Sequence, residues 1–281
     1  MPELPEVETM RRCIAAVVGS RIRDVRQPRS RLQSITIEPR LPTFRRRIVG
    51  RKIVALGRVG KRIVVELDSG DRIVLEPRMS GLVLLNSPPD REHLRLVFQL
   101  SGRGPRQFLF WDQRGLGVAR LVSPAEFDHH YGPARIGPDA LVITAADLRE
   151  RLGDGRRPIK VAFLDQKTLA GVGNLYASEI LHRAGVHPQV PCSRLRPAQW
   201  AAIHAAMREI LDEAIHHQGS TLRDGTYRIA HNEPGNYQLC HRVYQRAGEP
   251  CLQCGKGHIV RIVQAQRSTF FCPNCQRRPR G

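Results

Sequence analysis

The sequence predicts an α+β multidomain chain: an N-terminal β-sandwich with a leading helix, a helical middle domain and a C-terminal zinc-finger β-hairpin. Three observations carry this prediction. Short β-branched runs recur at close spacing up to about residue 130, one long amphipathic stripe follows, and four cysteines in two C-x-x-C pairs stand near the end. A length of 281 residues suits two domains plus such a ribbon. The expected boundaries are 1–132, 133–245 and 246–281.

The elements follow in order. Val7, Met10, Ile14, Val17 and Val18 have helical spacing, with Gly19 as the stop. Strand signals stand at 51–56, 62–67, 72–75, 82–85, 94–100, 107–111 and 118–122, and the turn composition Asp68-Ser-Gly-Asp71 separates the second from the third. Few helices interrupt these strands, which predicts a sandwich ending near residue 130. Pro133 to Pro138 reads as a linker. The clearest helix beyond it carries Trp200, Ile203, Met207, Ile210, Leu211, Ala214 and Ile215, opened by Pro197 and closed by Gly219. Ser220 to Arg246 shows no firm periodicity, and a loop of that length in a compact protein is usually functional or mobile.

The cysteine pairs are Cys251-x-x-Cys254 and Cys272-x-x-Cys275. Four thiolates at this spacing close the tetrahedral shell of one structural zinc ion and leave no open position for catalysis. The β-branched and aromatic run from His258 to Phe271 then reads as a hairpin tied at its base by the metal, with Arg267 near the tip. From Pro250 to Gly281 there is no acidic residue against six Lys and Arg, which suits offering a cation to a phosphate. A purely structural ribbon meets the same spacing. Cys13, Cys192 and Cys240 are left over, and unpaired thiols beside a zinc site suit a reducing cytosol.

Charge points to nucleic acid. Lys plus Arg is 45 against 26 Asp plus Glu, a net +19, and such a balance draws polyanions. The most basic segment, Arg40 to Val65, holds nine Lys and Arg and no acid, yet apolar residues interrupt it, so folded strands carry the charge. A merely solvated basic surface is the other reading, since Arg greatly exceeds Lys. No stretch is long and apolar enough for a membrane span, and the start lacks a basic region followed by an apolar core, so no membrane association is expected.

The first residues offer a nucleophile. Once Met1 is removed, Pro2 becomes a secondary amine with a pKa near ~8, partly neutral at physiological pH. Such an amine can attack a sugar carbon and form an iminium, with Glu3 placed to move protons. Helix N-terminal preferences explain Pro-Glu equally well.

Taken together, Met1-Pro-Glu-Leu-Pro-Glu-Val-Glu8, Gly171-Val-Gly-Asn-Leu-Tyr-Ala-Ser-Glu179 and Gln264-Ala-Gln-Arg-Ser-Thr-Phe-Phe-Cys-Pro-Asn-Cys-Gln276 resemble, in order and spacing, the bacterial formamidopyrimidine-DNA glycosylases. The resemblance spans essentially the whole chain. It implies a bifunctional base-excision repair enzyme that removes oxidised purines such as 8-oxoguanine and formamidopyrimidines and cleaves the abasic site by β,δ-elimination. It implies a helix-two-turn-helix middle domain, a cytoplasmic monomer, and double-stranded DNA with oxidised bases or abasic sites held in a cleft between the domains. Residue by residue, Pro2 matches the nucleophile at C1′ and Glu3 the acid that assists ring opening. Lys61, in Gly57-Arg-Val-Gly-Lys-Arg62, matches a hairpin lysine that engages DNA near the lesion, although an ordinary turn lysine fits as well. Asn174, which a plain helix N-cap also explains, and Arg267 match phosphate-gripping positions, and Lys160 resembles a further DNA contact. Met79, Arg114 and Leu116 fall where the family places the side chains that fill the void left by the everted nucleotide.

Leu116 departs from the usual phenylalanine, and Arg78 stands where a small residue is more usual. Both bear on opposite-base preference more than on the reaction. Two other readings compete: an endonuclease VIII-type activity on oxidised pyrimidines, and a non-catalytic damage-binding protein. Leu4 and the Gln264-Ala-Gln run favour the purine enzyme over the first, and an intact Pro2-Glu3 pair argues against the second.

Overall fold

A computed structural model describes residues 2–222, 225–229 and 233–278. By packing, the chain forms two compact units: Met1–Arg135 with Ile215–Gln238, and Ile136–Ala214 with Leu239–Gly281.

The first unit begins with helix α1 (Leu4–Cys13), opened by Pro5 in its first turn and prolonged by a 3-10 turn at Ala15–Val17. Gly19 stops it as expected, at φ +92, where a side chain would be strained. Nine strands follow: β1 (Arg21–Arg26), β2 (Thr36–Glu38), β3 (Ile53–Val59), β4 (Arg62–Leu67), β5 (Arg72–Glu76), β6 (Gly81–Leu84), β7 (Leu94–Ser101), β8 (Gln107–Asp112) and β9 (Val118–Val122). They make a four-stranded sheet in the order β1-β7-β8-β6 and a five-stranded sheet in the order β2-β9-β5-β4-β3. One core lies between them. It joins Phe98, Phe108 and Phe110 of the first sheet with Ile63, Ile73 and Leu121 of the second, and it takes in Val7, Met10 and Ile14 of α1. Two short helices, α2 (Leu41–Ile48) and α3 (Pro124–Tyr131), and strands β1 and β2 were not expected from the sequence.

The second unit contains α4 (Ala145–Leu152), α5 (Ile159–Phe163), α6 (Asn174–Arg183) and, up to Ala214, α7 (Pro197–His216). The 133–138 stretch is no free linker on its C-terminal side: Gly137 N donates to Gln166 O and Pro138 O accepts from Ala170 N, both at 2.9 Å. The hairpin pairs β10 (Val260–Gln264) with β11 (Arg267–Phe271). Its two turn residues, Ala265 and Gln266, sit at φ 45 and 60, the twist that a two-residue hairpin turn requires. Arg267 faces Gln264 across the first pair, next to the tip. Among the described residues no helix is long and apolar enough to cross a membrane.

Candidate functional site

Within the first unit, Pro2 is buried and Glu3 is the N-cap residue of α1, 5% exposed. Met1 lies outside the described residues. Glu6, one turn on, is buried and holds this segment through both oxygens. Oε2 accepts the Glu3 backbone N–H at 2.8 Å, and Oε1 accepts the Ser220 N–H at 2.9 Å. One carboxylate therefore fixes both the first turn of α1 and the start of the long loop. That loop is further tied down by Thr221, whose hydroxyl donates to Tyr227 O at 2.7 Å and accepts from Gly235 N at 2.9 Å. Tyr227 and Ile229 sink into the core. The apolar residues in this aperiodic stretch are thus anchors, while residues 223, 224 and 230–232 of it lie outside the described ones.

Glu8 closes the motif. It faces Arg11 at 2.7 Å, Arg12 at 2.8 Å and Arg58 at 3.3 Å. Burial alone would raise its carboxyl, but hydrogen bonds from Arg11 and Arg12 and the charge of Arg58 outweigh it and bring the pKa down to about 2. Lys61 is half-buried in the two-residue turn between β3 and β4, after Gly60 at φ +55.

Met79 and Leu116 are 40% and 39% exposed, unusual for large apolar side chains, and Arg114 is exposed beside Leu116. They sit on two loops that the sequence gives no reason to join. The link is Asp112, fully buried at the end of β8. Its Oδ1 accepts from the Ser80 hydroxyl at 2.6 Å, and its Oδ2 accepts from Gly117 N at 2.7 Å. Ser80 in turn accepts the Arg114 N–H at 3.0 Å. The Met79 loop and the Arg114–Leu116 loop are therefore brought together by one carboxylate that sequence reasoning missed. Arg78, at φ 53, is held by an ion pair from its Nε to the buried Glu76 at 3.3 Å. Among the described residues the Arg114 guanidinium has no hydrogen-bond or ion-pair partner.

In the second unit the structure brings Lys160, Asn174 and the start of the Arg267 strand together. Lys160 is fully buried, and its ammonium donates to Asn174 Oδ1 at 2.6 Å, Thr269 Oγ1 at 2.8 Å and Ser268 O at 3.1 Å. An ammonium has three N–H donors, so reaching a phosphate would mean giving one of these up. Lys160, which resembles a DNA-contact position of the family, thus also ties α5, α6 and β11 together. Asn174 is the first residue of α6, not its cap, which is Gly173. Its amide nitrogen donates to Ser268 O at 3.0 Å. Arg267, one residue before that strut, is exposed and has no hydrogen-bond or ion-pair partner among the described residues.

The four cysteine sulfurs lie within 4.8 Å of one another, with Cys251–Cys275 and Cys254–Cys272 each at 3.8 Å. A tetrahedron with zinc–sulfur bonds of ~2.3 Å has edges of about 3.8 Å, so the four fit one zinc ion. The amides of Lys256 and Gly257 donate toward the Cys254 sulfur and lower its pKa, which favours the thiolate that a zinc ion needs. The segment entering the site is pinned by Glu179, fully buried in α6, which accepts from the N–H groups of Arg242, Val243 and Tyr244 at 2.8–3.0 Å. Burial raises its pKa, and those three amides pull against that rise. Gln276 closes the other side, donating to Val186 O at 2.8 Å and accepting from Cys272 N at 2.9 Å.

Known proteins share this arrangement. Family models match residues 1–119 as a formamidopyrimidine-DNA glycosylase N-terminal domain, 136–226 as the H2TH domain of such glycosylases, and 248–278 as a zinc finger found in FPG and IleRS. A formamidopyrimidine-DNA glycosylase of Chloroflexus aggregans is 41% identical over 98% of both chains. The chain belongs to the formamidopyrimidine-DNA glycosylase family. A Solibacter usitatus relative is 40% identical over 99% of this chain and 100% of its own. Among solved structures, the MutM (Fpg) protein of Thermus thermophilus superposes with a TM-score of 0.83, 35% identity and 98% of both chains covered. The Lactococcus lactis Fpg in complex with abasic-site DNA gives a TM-score of 0.84 at 29% identity, covering 98% of this chain and 100% of that one. Membership makes this protein a base-excision repair DNA glycosylase with abasic-site lyase activity and a structural zinc finger.

Proposed function

We propose that the protein acts as a monomer in the bacterial cytoplasm on double-stranded DNA carrying an oxidised purine or an abasic site, with residues 1–132 supplying the chemistry and the wedge and 133–245 and 246–281 the phosphate grip. The observation that carries this reading is the chain start: Pro2 immediately before α1, Glu3 at its cap, and Glu6 locking that turn to Ser220. With Met1 removed, the neutral Pro2 nitrogen attacks C1′ of the damaged nucleoside. The glycosidic bond breaks with its electron pair going to the base. Glu3 protonates O4′ as the sugar ring opens, and the Pro2 nitrogen sheds its proton, leaving an iminium. Loss of a C2′ proton then expels the 3′ phosphate, a second elimination expels the 5′ phosphate, and water hydrolyses the iminium to regenerate Pro2.

Met79, Arg114 and Leu116 fill the vacated stack, and Lys61 engages DNA near the lesion. Arg267 grips a phosphate beside the everted nucleotide with Asn174 at the same strut, while Lys160, the further DNA-contact position, holds that pair in register.

Borohydride trapping on duplexes bearing 8-oxoguanine, thymine glycol or an abasic site tests this. The adduct is expected on the 8-oxoguanine and abasic duplexes and should map to Pro2. An N-terminal extension, which turns Pro2 into an amide, should abolish it. Trapping on thymine glycol alone would establish the pyrimidine activity instead. Full activity of an extended protein would remove Pro2 from the mechanism.

A further inference from the structure

The zinc site draws on a residue outside its own segment. His182, near the end of α6, is fully buried, and its Nε2 lies 3.4 Å from Cys251 Sγ. Its other ring nitrogen, Nδ1, is buried with no hydrogen-bond partner among the described residues. A cysteine bound to zinc is a thiolate, which can only accept. An imidazole facing it must place its proton on Nε2, since a lone pair there would meet the sulfur's negative charge.

Two of the other thiolates are served locally: Cys254 by the amides of Lys256 and Gly257, and Cys272 by those of Asn274 and Cys275. Cys251, 1% exposed, takes its donor from a helix. That same helix begins with Asn174, whose amide holds Ser268 O next to Arg267. Eight residues of α-helix separate the two contacts, about 12 Å along the axis. Both ends of α6 therefore grasp the zinc hairpin, one at the metal and one at the strand that carries Arg267.

We propose that His182 is a positioning residue of the zinc site, donating its Nε2–H to the zinc-bound thiolate of Cys251. The bond withdraws charge from the sulfur, makes it a poorer target for protons and electrophiles, and fixes the hairpin's base to α6. The inference concerns the metal site and stands apart from the DNA roles given to Arg267 and Asn174.

The test compares the full-length zinc-loaded protein with His182→Phe, which keeps the ring's bulk without a donor, and His182→Gln, which restores an N–H. A chromophoric chelator reads zinc release, and replacement of zinc by cobalt(II) reads the sulfur-to-metal charge-transfer band. His182→Phe should release zinc about 10- to 100-fold faster, the range set by loss of an outer hydrogen bond to a metal ligand. Its charge-transfer band should move to lower energy, because the sulfur electrons are no longer stabilised. His182→Gln should return both readouts toward the parent protein. The band reports the electronics of the sulfur and does not follow from packing, so it separates donation from mere filling of space. Parent-like release and an unshifted band in His182→Phe, or equal behaviour of the Phe and Gln variants, would overturn the proposal.

Discussion

The Met79 and Arg114–Leu116 loops of the first unit and the zinc hairpin of the second face the same mechanical problem. Each must hold exposed side chains rigidly on a short piece of chain with little apolar core beneath it. The two loops of the first unit solve it with buried carboxylates: Asp112 gathers Ser80 and Gly117, Ser80 in turn holds Arg114, and Glu76 holds Arg78. The hairpin uses a metal at its base and a single ammonium, Lys160, at its working end. The first device is sensitive to the loss of one charge, and the second to chelation. A loop held by carboxylates can be carried on a strand end, whereas a two-stranded ribbon is marginal by itself and takes a metal as its tie.

Removing zinc should give the largest effect and separate the two devices most cleanly. Structural zinc contributes on the order of 10 kcal/mol to small zinc-bound folds, so the hairpin should lose its shape on chelation. Hydrogen exchange should show amides at 251–276 losing protection while those at 112–117 keep theirs, and lesion-DNA affinity should fall by at least tenfold. Equal loss of protection in both regions would mean that the two are not independently held.

Asp112→Ala is the mirror experiment. It strands the Ser80 hydroxyl and the Gly117 N–H without their acceptor, at a cost of about 3 kcal/mol. Thermal unfolding should report that loss, and lesion-independent DNA affinity should change little. If stability were unaltered, Asp112 would not be the tie between the loops.

Lys160→Met keeps the volume and removes the donor from three acceptors, an expected loss of about 2 kcal/mol. Zinc should stay bound while amides at 267–271 exchange faster. Combined with Arg267→Ala, the loss in DNA affinity should be less than additive, because the strut acts through Arg267. Full additivity would give Lys160 a contact of its own.

The smallest effect concerns Glu8. Its folded pKa, about 2, lies below the ordinary carboxylate value, so the stabilisation it provides is complete above about pH 4.5 and is lost as the pH falls toward 2. Glu8→Gln should lower stability by about 1–2 kcal/mol at pH 6, and the gap to the parent should close on acidification. A gap constant from pH 6 to 3 would mean that shape rather than charge is what Glu8 contributes.

How much of this was legible in the sequence follows from the range of the interactions involved. The cysteine spacing, the stripe of α7 and most strands are local patterns, and the structure repeats them within a residue or a few. Strand β1 escaped because a bulge between Ile22 and Asp24 breaks its alternation. Helix α2 escaped because three consecutive arginines leave only Phe44 and Ile48 as buried residues. At the site, Pro2, Glu3 and Arg267 stood out through motifs, but their supports did not. Asp112, Glu6 and Lys160 act on residues far away in the chain, and a carboxylate or ammonium in a sequence carries no mark of whether it will be buried. The signal that could have found Asp112 is its place between a strand ending in Phe110-Trp111 and a loop rich in glycine, where a short acceptor is needed.

The contact of Glu6 with the start of the long loop has an evolutionary corollary. Gly219 sits at φ +78, and a β-carbon there would come within 2.8 Å of Glu6 Oε1 and 2.9 Å of its Cγ. The glycine is thus demanded by its own backbone and by a carboxylate at the opposite end of the polypeptide. Lineages that keep Glu6 should keep Gly219, and any that shorten residue 6 gain room for a side chain at 219 but lose the acceptor for Ser220. The two codons, remote on the gene, should drift as one.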